Sequence, residues 1–158
     1  MVFGKADGTV VELSSVAAGS GGFVINGVSA DDKSGISVST AGDVNGDGFD
    51  DLIVGAYLDD PNGADSGASF VVFGKTDSTT IELSSIGTGG DGFVINGANA
   101  GDYSGRAVST AGDINGDGFD DLIVGANFDD PNGNNSGASF VVFGKTDSTL
   151  IELSSVEA

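Results

Sequence analysis

The chain repeats itself with a period of 70 residues, and a period of that length restricts it to architectures built from stacked, equivalent units. Residues 43–51 read Asp-Val-Asn-Gly-Asp-Gly-Phe-Asp-Asp and residues 113–121 read Asp-Ile-Asn-Gly-Asp-Gly-Phe-Asp-Asp, so Asp113 stands 70 positions after Asp43. Residues 34–75 align with 104–145 without a gap, and differ only at Ile36/Arg106, Ser37/Ala107, Val44/Ile114, Tyr57/Asn127, Leu58/Phe128, Ala64/Asn134 and Asp65/Asn135. A third, truncated copy opens the chain at Val2, Phe3, Gly4 and Lys5, and runs on to Glu12, Leu13, Ser14 and Ser15, which match residues 82–85 and 152–155. Residues 1–18 and 141–158 are therefore the same segment of the repeat.

Within each unit the pattern is β. Residues 36–40 alternate with period two, and residues 107–110 do so more weakly. Residues 52–56 and 68–73 are short apolar runs rich in strand formers, and residues 23–25 and 93–95 (Phe-Val-Ile) are further strands closed by Asn-Gly. Asp-Asp-Pro-Asn-Gly at 59–63 and 129–133 has the composition of a hairpin turn. Residues 80–83 alternate before a Ser-Ser pair, which predicts a short strand or an irregular link. No amphipathic helical stripe of ten or more residues is present.

Four short strands per unit, joined by glycine-rich turns, predict an all-β fold of two tandem four-stranded antiparallel β-propeller blades. The expected division is a partial blade at 1–33, a full blade with an acidic loop at 34–103, and a second such blade lacking its last strand at 104–158. A blade needs a neighbour on each face, and two do not close a ring.

The acidic loops carry the chemistry. Oxygen-bearing side chains at alternate positions, with a glycine at the turn, suit a hard cation with six to eight oxygen ligands. In the first loop Asp43, Asn45 and Asp47 are candidate side-chain ligands, Phe49 a candidate backbone carbonyl ligand, and Asp51 a further carboxylate. In the second loop the same roles fall to Asp113, Asn115, Asp117, Phe119 and Asp121. Calcium at two sites is the expected cofactor. Zinc would want His or Cys, and the chain has neither. An EF-hand needs glutamate where Val54 and Val124 stand, and helices where strands are predicted. Asp50 and Asp120 fall out of phase with the ligands, and are expected to be solvated or capping groups.

Charge agrees. Five Lys and Arg face 24 Asp and Glu, a formal net charge of −19. This excludes ordinary nucleic-acid binding and disfavours anionic membranes. No apolar stretch is long enough to span a bilayer. Clustered carboxylates repel one another until a cation joins them, so the fold is expected to depend on metal. Catalysis is not expected. Imidazole bases and thiol nucleophiles are absent, and nearly every acidic residue belongs to a repeated motif.

Gly-Asp-x-Asn-Gly-Asp-Gly-x-x-Asp-Leu-Ile-Val-Gly-Ala, at 42–56 and 112–126, resembles the FG-GAP repeat of integrin-α-type β-propellers, bacterial tandem repeats in particular. The resemblance implies a four-stranded blade with calcium in the hairpin loop between its first two strands. Two positions depart from the family pattern: Ser-Gly stands at 34–35 and 104–105 in place of Phe-Gly, and Tyr57 and Asn127 replace the final proline.

The expected function is a calcium-binding extracellular or cell-surface segment with a structural, adhesive or scaffolding role. A carbohydrate-binding propeller and an accessory domain of a larger surface enzyme are the alternatives. Extracellular modules bind calcium at about 10⁻⁴–10⁻³ M, which suits millimolar calcium. No leader opens the chain, and Met1 starts in mid-repeat, which suits a segment of a longer protein or one whose export information was removed. The expected partners are a protein or glycan ligand, remaining blades of a parent protein, or the chain itself. Copies contributing two blades each close a ring at six or eight, or grow into a filament.

Overall fold

A computed structural model describes residues 1–156, so Glu157 and Ala158, the last two residues of the expected 104–158 unit, lie outside the described residues. A short helix α1 (Leu13–Ala17) precedes ten strands: β1 (Ile25–Asn26), β2 (Ser37–Gly42), β3 (Asp51–Ala56), β4 (Ala68–Val72), β5 (Ile81–Glu82), β6 (Gly92–Asn96), β7 (Ala107–Gly112), β8 (Asp121–Ala126), β9 (Ala138–Val142) and β10 (Ile151–Glu152). Three-residue 3-10 turns follow β5 at Leu83–Ser85 and β10 at Leu153–Ser155. The fold is all-β, in open sheets.

The first repeat forms an antiparallel sheet in the order β2, β3, β4, β6, with Val38 opposite Val54, Val54 opposite Phe70, and Phe70 opposite Val94. The second repeat reproduces the first three of these strands as β7, β8 and β9 in the same register, Val108 opposite Val124 and Val124 opposite Phe140. Both inner strands shift register in their last residues, between Thr40 and Gly42 and between Thr110 and Gly112. These bulges turn the chain into the acidic loop. β2 and β7 lie side by side, tied where the amide of Val108 donates to Ser37 Oγ at 3.0 Å.

β5 and β10 do not join the sheet of their own repeat. β10 runs parallel to β6, with Ile151 opposite Ile95 and Glu152 opposite Asn96, and β5 runs parallel to β1, with Ile25 opposite Ile81 and Asn26 opposite Glu82. The stretch expected as a short strand or irregular link is thus a stitch from each repeat back to the last strand of the repeat before it. Side-chain amides complete the stitch: Asn96 Nδ2 donates to Glu152 Oε1 at 2.9 Å, and Asn26 Nδ2 to Glu82 Oε1 at 2.7 Å.

Alternation along the strands divides the core. Ile53, Val71, Phe93 and Ile95 point to one side of the first sheet, where they meet Leu122, Val124, Phe140 and Leu153 of the second repeat. Val54, Phe70 and Val72 point to the other side, where they meet Phe23, Ile81 and Leu83. A sheet covered on both faces needs apolar residues at successive positions, which is why residues 52–56 and 68–73 read as continuous apolar runs.

Candidate metal centre

Each acidic loop spans the bend between an inner strand and its neighbour: residues 43–50 between β2 and β3, and residues 113–120 between β7 and β8. The loops are built by their own carboxylates. Asp43 Oδ1 accepts from the amides of Gly46 (2.8 Å) and Asp47 (3.0 Å), and its Oδ2 accepts from Gly48 (2.9 Å). Asn45 Oδ1 accepts from the amide of Asp47 at 2.8 Å, and Asp47 Oδ1 accepts from that of Phe49 at 2.9 Å. The chain can fold back this tightly because Gly46 and Gly48 adopt φ of 76° and 88°, open to glycine at little steric cost. The second loop repeats every bond through Asp113, Asn115, Asp117 and Phe119, at 2.7–3.1 Å.

Asp51 and Asp121 stand at the bases of the loops, both fully buried. Asp51 Oδ2 accepts from the amide of Val44 at 3.0 Å, and Oδ1 from that of Gly74 at 2.7 Å. Asp121 takes the same two bonds from Ile114 and Gly144, each at 3.0 Å. Burial pushes the Asp51 carboxyl up to about 6, against the pull of its two N–H donors and with added repulsion from Asp47 and Asp43.

The structure therefore brings Asp43, Asn45 and Asp47 onto one tight loop, with Asp51 beneath it and Phe49 between them in sequence, and does likewise with Asp113, Asn115, Asp117, Phe119 and Asp121. Among the described residues no three acidic side chains converge as a ready-made metal cluster, because the carboxylates here turn toward the loop amides. The donor set is all oxygen, crowded and negative, which fits a hard cation such as calcium.

Asp120 does more than the solvated or capping role expected of it. Its Oδ2 accepts from the amide of Asp43 at 2.9 Å, while its own amide donates to the Asp43 carbonyl at 3.1 Å. The amide of Lys145 donates to the Val44 carbonyl at 2.8 Å. The second repeat thus braces the loop of the first. No sequence signal distinguishes Asp120 from Asp50, since only the neighbouring repeat supplies the partner.

Sequence reasoning also missed a buried acidic pair at the opposite end of the strands. Asp102 and Asp129 are almost fully buried. Asp102 Oδ2 accepts from the amide of Asn99 at 2.8 Å, and Asp129 Oδ1 from that of Asp130 at 2.9 Å. Burial raises the Asp102 carboxyl, with repulsion from Asp129 and Asp130 adding to it. One repeat earlier, burial raises Asp59, with Asp32 and Asp60 adding repulsion. A raised folded-state value means that stability is fully present below the ordinary carboxylate value and is lost as pH rises through the folded value. With the Asp51 carboxyl pushed up to about 6, the unfolding midpoint in chelator is expected to rise as pH falls from about 7 to about 5; a midpoint falling over that range would refute the assignment.

Residues 34–72 and 104–142 match the family model of the FG-GAP repeat. The chain is similar to Integrin alpha-PS2 of Drosophila melanogaster, 36% identical over 118 residues that cover 70% of this chain and 8% of that protein. It is similar to Integrin alpha-2 of Bos taurus, 34% identical over 92 residues that cover 58% of this chain and 7% of that protein. The chain thus spans less than a tenth of the length of these curated relatives.

Proposed function

Because the chain belongs to the FG-GAP repeat family, we propose that it is an adhesion-type β-propeller segment of integrin-α type, a calcium-rigidified scaffold working outside the cell or at its surface, and a binding module with no catalytic role. The observation that carries this reading is the pair of acidic loops, identical in hydrogen bonding and braced against each other through Asp43 and Asp120. Asp43, Asn45, Asp47 and Asp51, with the Phe49 carbonyl, would hold one calcium ion; Asp113, Asn115, Asp117 and Asp121, with the Phe119 carbonyl, would hold the other. Bound calcium supplies positive charge that cancels the repulsion among these carboxylates. The residues themselves fix the bend between the first two strands of each blade, and so hold the blade edges rigid for a ligand or a neighbouring blade. No helix among the described residues is long and apolar enough to cross a membrane.

Thermal unfolding with and without EGTA tests this. Two sites, each filled at about ten times its dissociation constant, should raise the midpoint by roughly 5–10 °C. An unchanged midpoint would sink the calcium reading.

A second reading, carbohydrate binding, has its own observation. Tyr57, Tyr103 and Phe128 form a row at the end of the strands away from the acidic loops, with ring centroids 5.8 Å and 5.1 Å apart. The Arg106 guanidinium lies 5.6 Å from the Tyr57 ring centroid. All four of these residues stand at positions where the repeats differ. Flat rings beside a cation can stack on a sugar face; a glycan array silent for the wild type would leave scaffolding as the function.

A further inference from the structure

The free edge of β9 and the region around β1 match as the two halves of one junction. β4 has a partner on each side, β3 and β6, whereas among the described residues β9 pairs with β8 alone. Ile123 and Val141, on the outer face of that sheet, are 37% and 39% exposed, where their counterparts Ile53 and Val71 are fully buried. A cavity of about 730 Å³ opens beside β9, lined by Gly125, Ala126, Gly137, Ala138 and Ser139 among others. In the first repeat the same place is filled. A Cβ on Gly55 would run into the carbonyl oxygen of Gly105, and one on Gly67 into that of Ser104. A Cβ on Gly125 would meet nothing nearer than the Ala107 carbonyl oxygen at 3.6 Å.

The N-terminal region carries what that place lacks. Residues 23–27 have the sequence of 93–97, and β1 already bears its stitch from β5. The connection after it holds the backbone of its counterpart: φ is 71°, 57° and 86° at Asp31, Lys33 and Gly35, against 86°, 53° and 81° at Gly101, Tyr103 and Gly105. Gly105 is pressed against the Ala68 carbonyl, but Gly35 has open space around it. The connection is thus preformed for a neighbour.

We propose that the neighbour is a second copy of this chain, docked head to tail, with residues 22–26 of one copy added antiparallel to β9 of the other. The internal pairing of β4 with β6 transfers residue by residue, setting Ala138 opposite Asn26, Phe140 opposite Val24 and Val142 opposite Gly22. The amides of Gly97, Gly101, Tyr103 and Ser104 donate to the carbonyls of Gly67, Ala64, Asp65 and Ser66 at 2.8–3.1 Å. At the junction those of Gly27, Asp31, Lys33 and Ser34 donate to Gly137, Asn134, Asn135 and Ser136.

A side-chain latch follows. Glu152 accepts from both Asn96 (2.9 Å) and Asn62 (2.6 Å), whereas Glu82 has Asn26 alone among the described side-chain amides. Asn132, the counterpart of Asn62, supplies the missing donor from the other copy.

One segment must leave. Val2 bridges Gly22, the amide of Phe3 donates to the Gly21 carbonyl at 2.8 Å, and the Met1 ammonium donates to the Phe23 carbonyl at 2.7 Å. These bonds hold the place of residues 141–143 of the second copy. The hold is slight: Leu13 is 72% exposed in α1, while Leu83 and Leu153 of the same Glu-Leu-Ser-Ser sequence are buried. A five-residue strand replacing a single bridge favours the exchange.

The inference rests on the blade geometry and not on bound calcium, so its failure leaves the metal reading untouched. The test is native mass spectrometry and sedimentation velocity on the full chain over a concentration series, in calcium and in EGTA. The wild type is expected to form multimers. Gly125→Ala puts a methyl group where the second copy's Gly35 carbonyl docks, into space that is open in the single chain. It is expected to weaken association by about a hundredfold with an unchanged circular dichroism spectrum. Asn132→Ala, at an exposed side chain, is expected to weaken it by about tenfold, and it carries the test if Gly125→Ala fails to fold. A wild type that stays a single copy throughout, or variants that assemble as readily as the wild type, would overturn the proposal.

Discussion

Asp51→Ala is expected to cost about 3–5 kcal/mol of stability, and to cost it whether or not calcium is present. Asp51 has no accessible surface, and its two oxygens satisfy two amides that come from different parts of the first repeat. The Val44 amide lies in the acidic loop, beside a side chain that is itself fully buried, and the Gly74 amide lies just beyond β4. Alanine leaves both N–H groups without an acceptor where water cannot reach, at about 1–3 kcal/mol each, and opens a void the size of a carboxyl group. Asp51→Asn keeps one oxygen and is expected to fall between alanine and wild type. Urea unfolding in EGTA measures the effect with the metal removed. A loss seen only in calcium would show that Asp51 acts through the ion alone, and would overturn the structural role assigned to it. Asp121→Ala breaks the equivalent bonds and is expected to show a similar loss that persists in chelator.

The parts of this molecule that sequence foretold are those decided inside one repeat. The loop at 43–51 contains its own donors and acceptors: Asp43 meets amides three to five residues ahead, and the glycines that permit the bend stand within the motif. β3 and β4 read as continuous apolar runs because both of their faces are covered. The parts that escaped are decided between repeats. Glu-Leu-Ser-Ser occurs three times. It follows a stitch and buries its leucine at Leu83 and Leu153, yet at Leu13 it winds into α1 with the leucine exposed. The sequence is the same in each case; what differs is the presence of an earlier strand to pair with. Asp120 likewise matches Asp50 in motif position, and becomes a brace only because the Asp43 amide lies across from it. Asp102 and Asp129 come from a connection and a turn that read as ordinary polar links, and their burial arises where two repeats meet.

The two repeats also act as controls for each other, and the contrast is largest at isoleucine. Ile53→Ala is expected to cost about 2–4 kcal/mol, because Ile53 is fully buried between the sheets with Val71, Leu122 and Val124. Ile123→Ala removes the same atoms from the same register position, but Ile123 is 37% exposed on a face with no neighbour in the single chain. Its cost in dilute solution is expected to stay below about 1.5 kcal/mol, since a truncated side chain near water leaves no closed cavity. Chemical denaturation of both variants at low protein concentration measures the difference directly. If copies associate through β9, that face becomes an inter-blade core like the one around Ile53. The cost of Ile123→Ala should then grow with protein concentration toward the Ile53→Ala value, while the Ile53→Ala cost stays constant. Equal costs at the lowest concentration would mean that the outer face of the second sheet is already covered in the single chain, contrary to the exposure of Ile123, Val141 and Phe143.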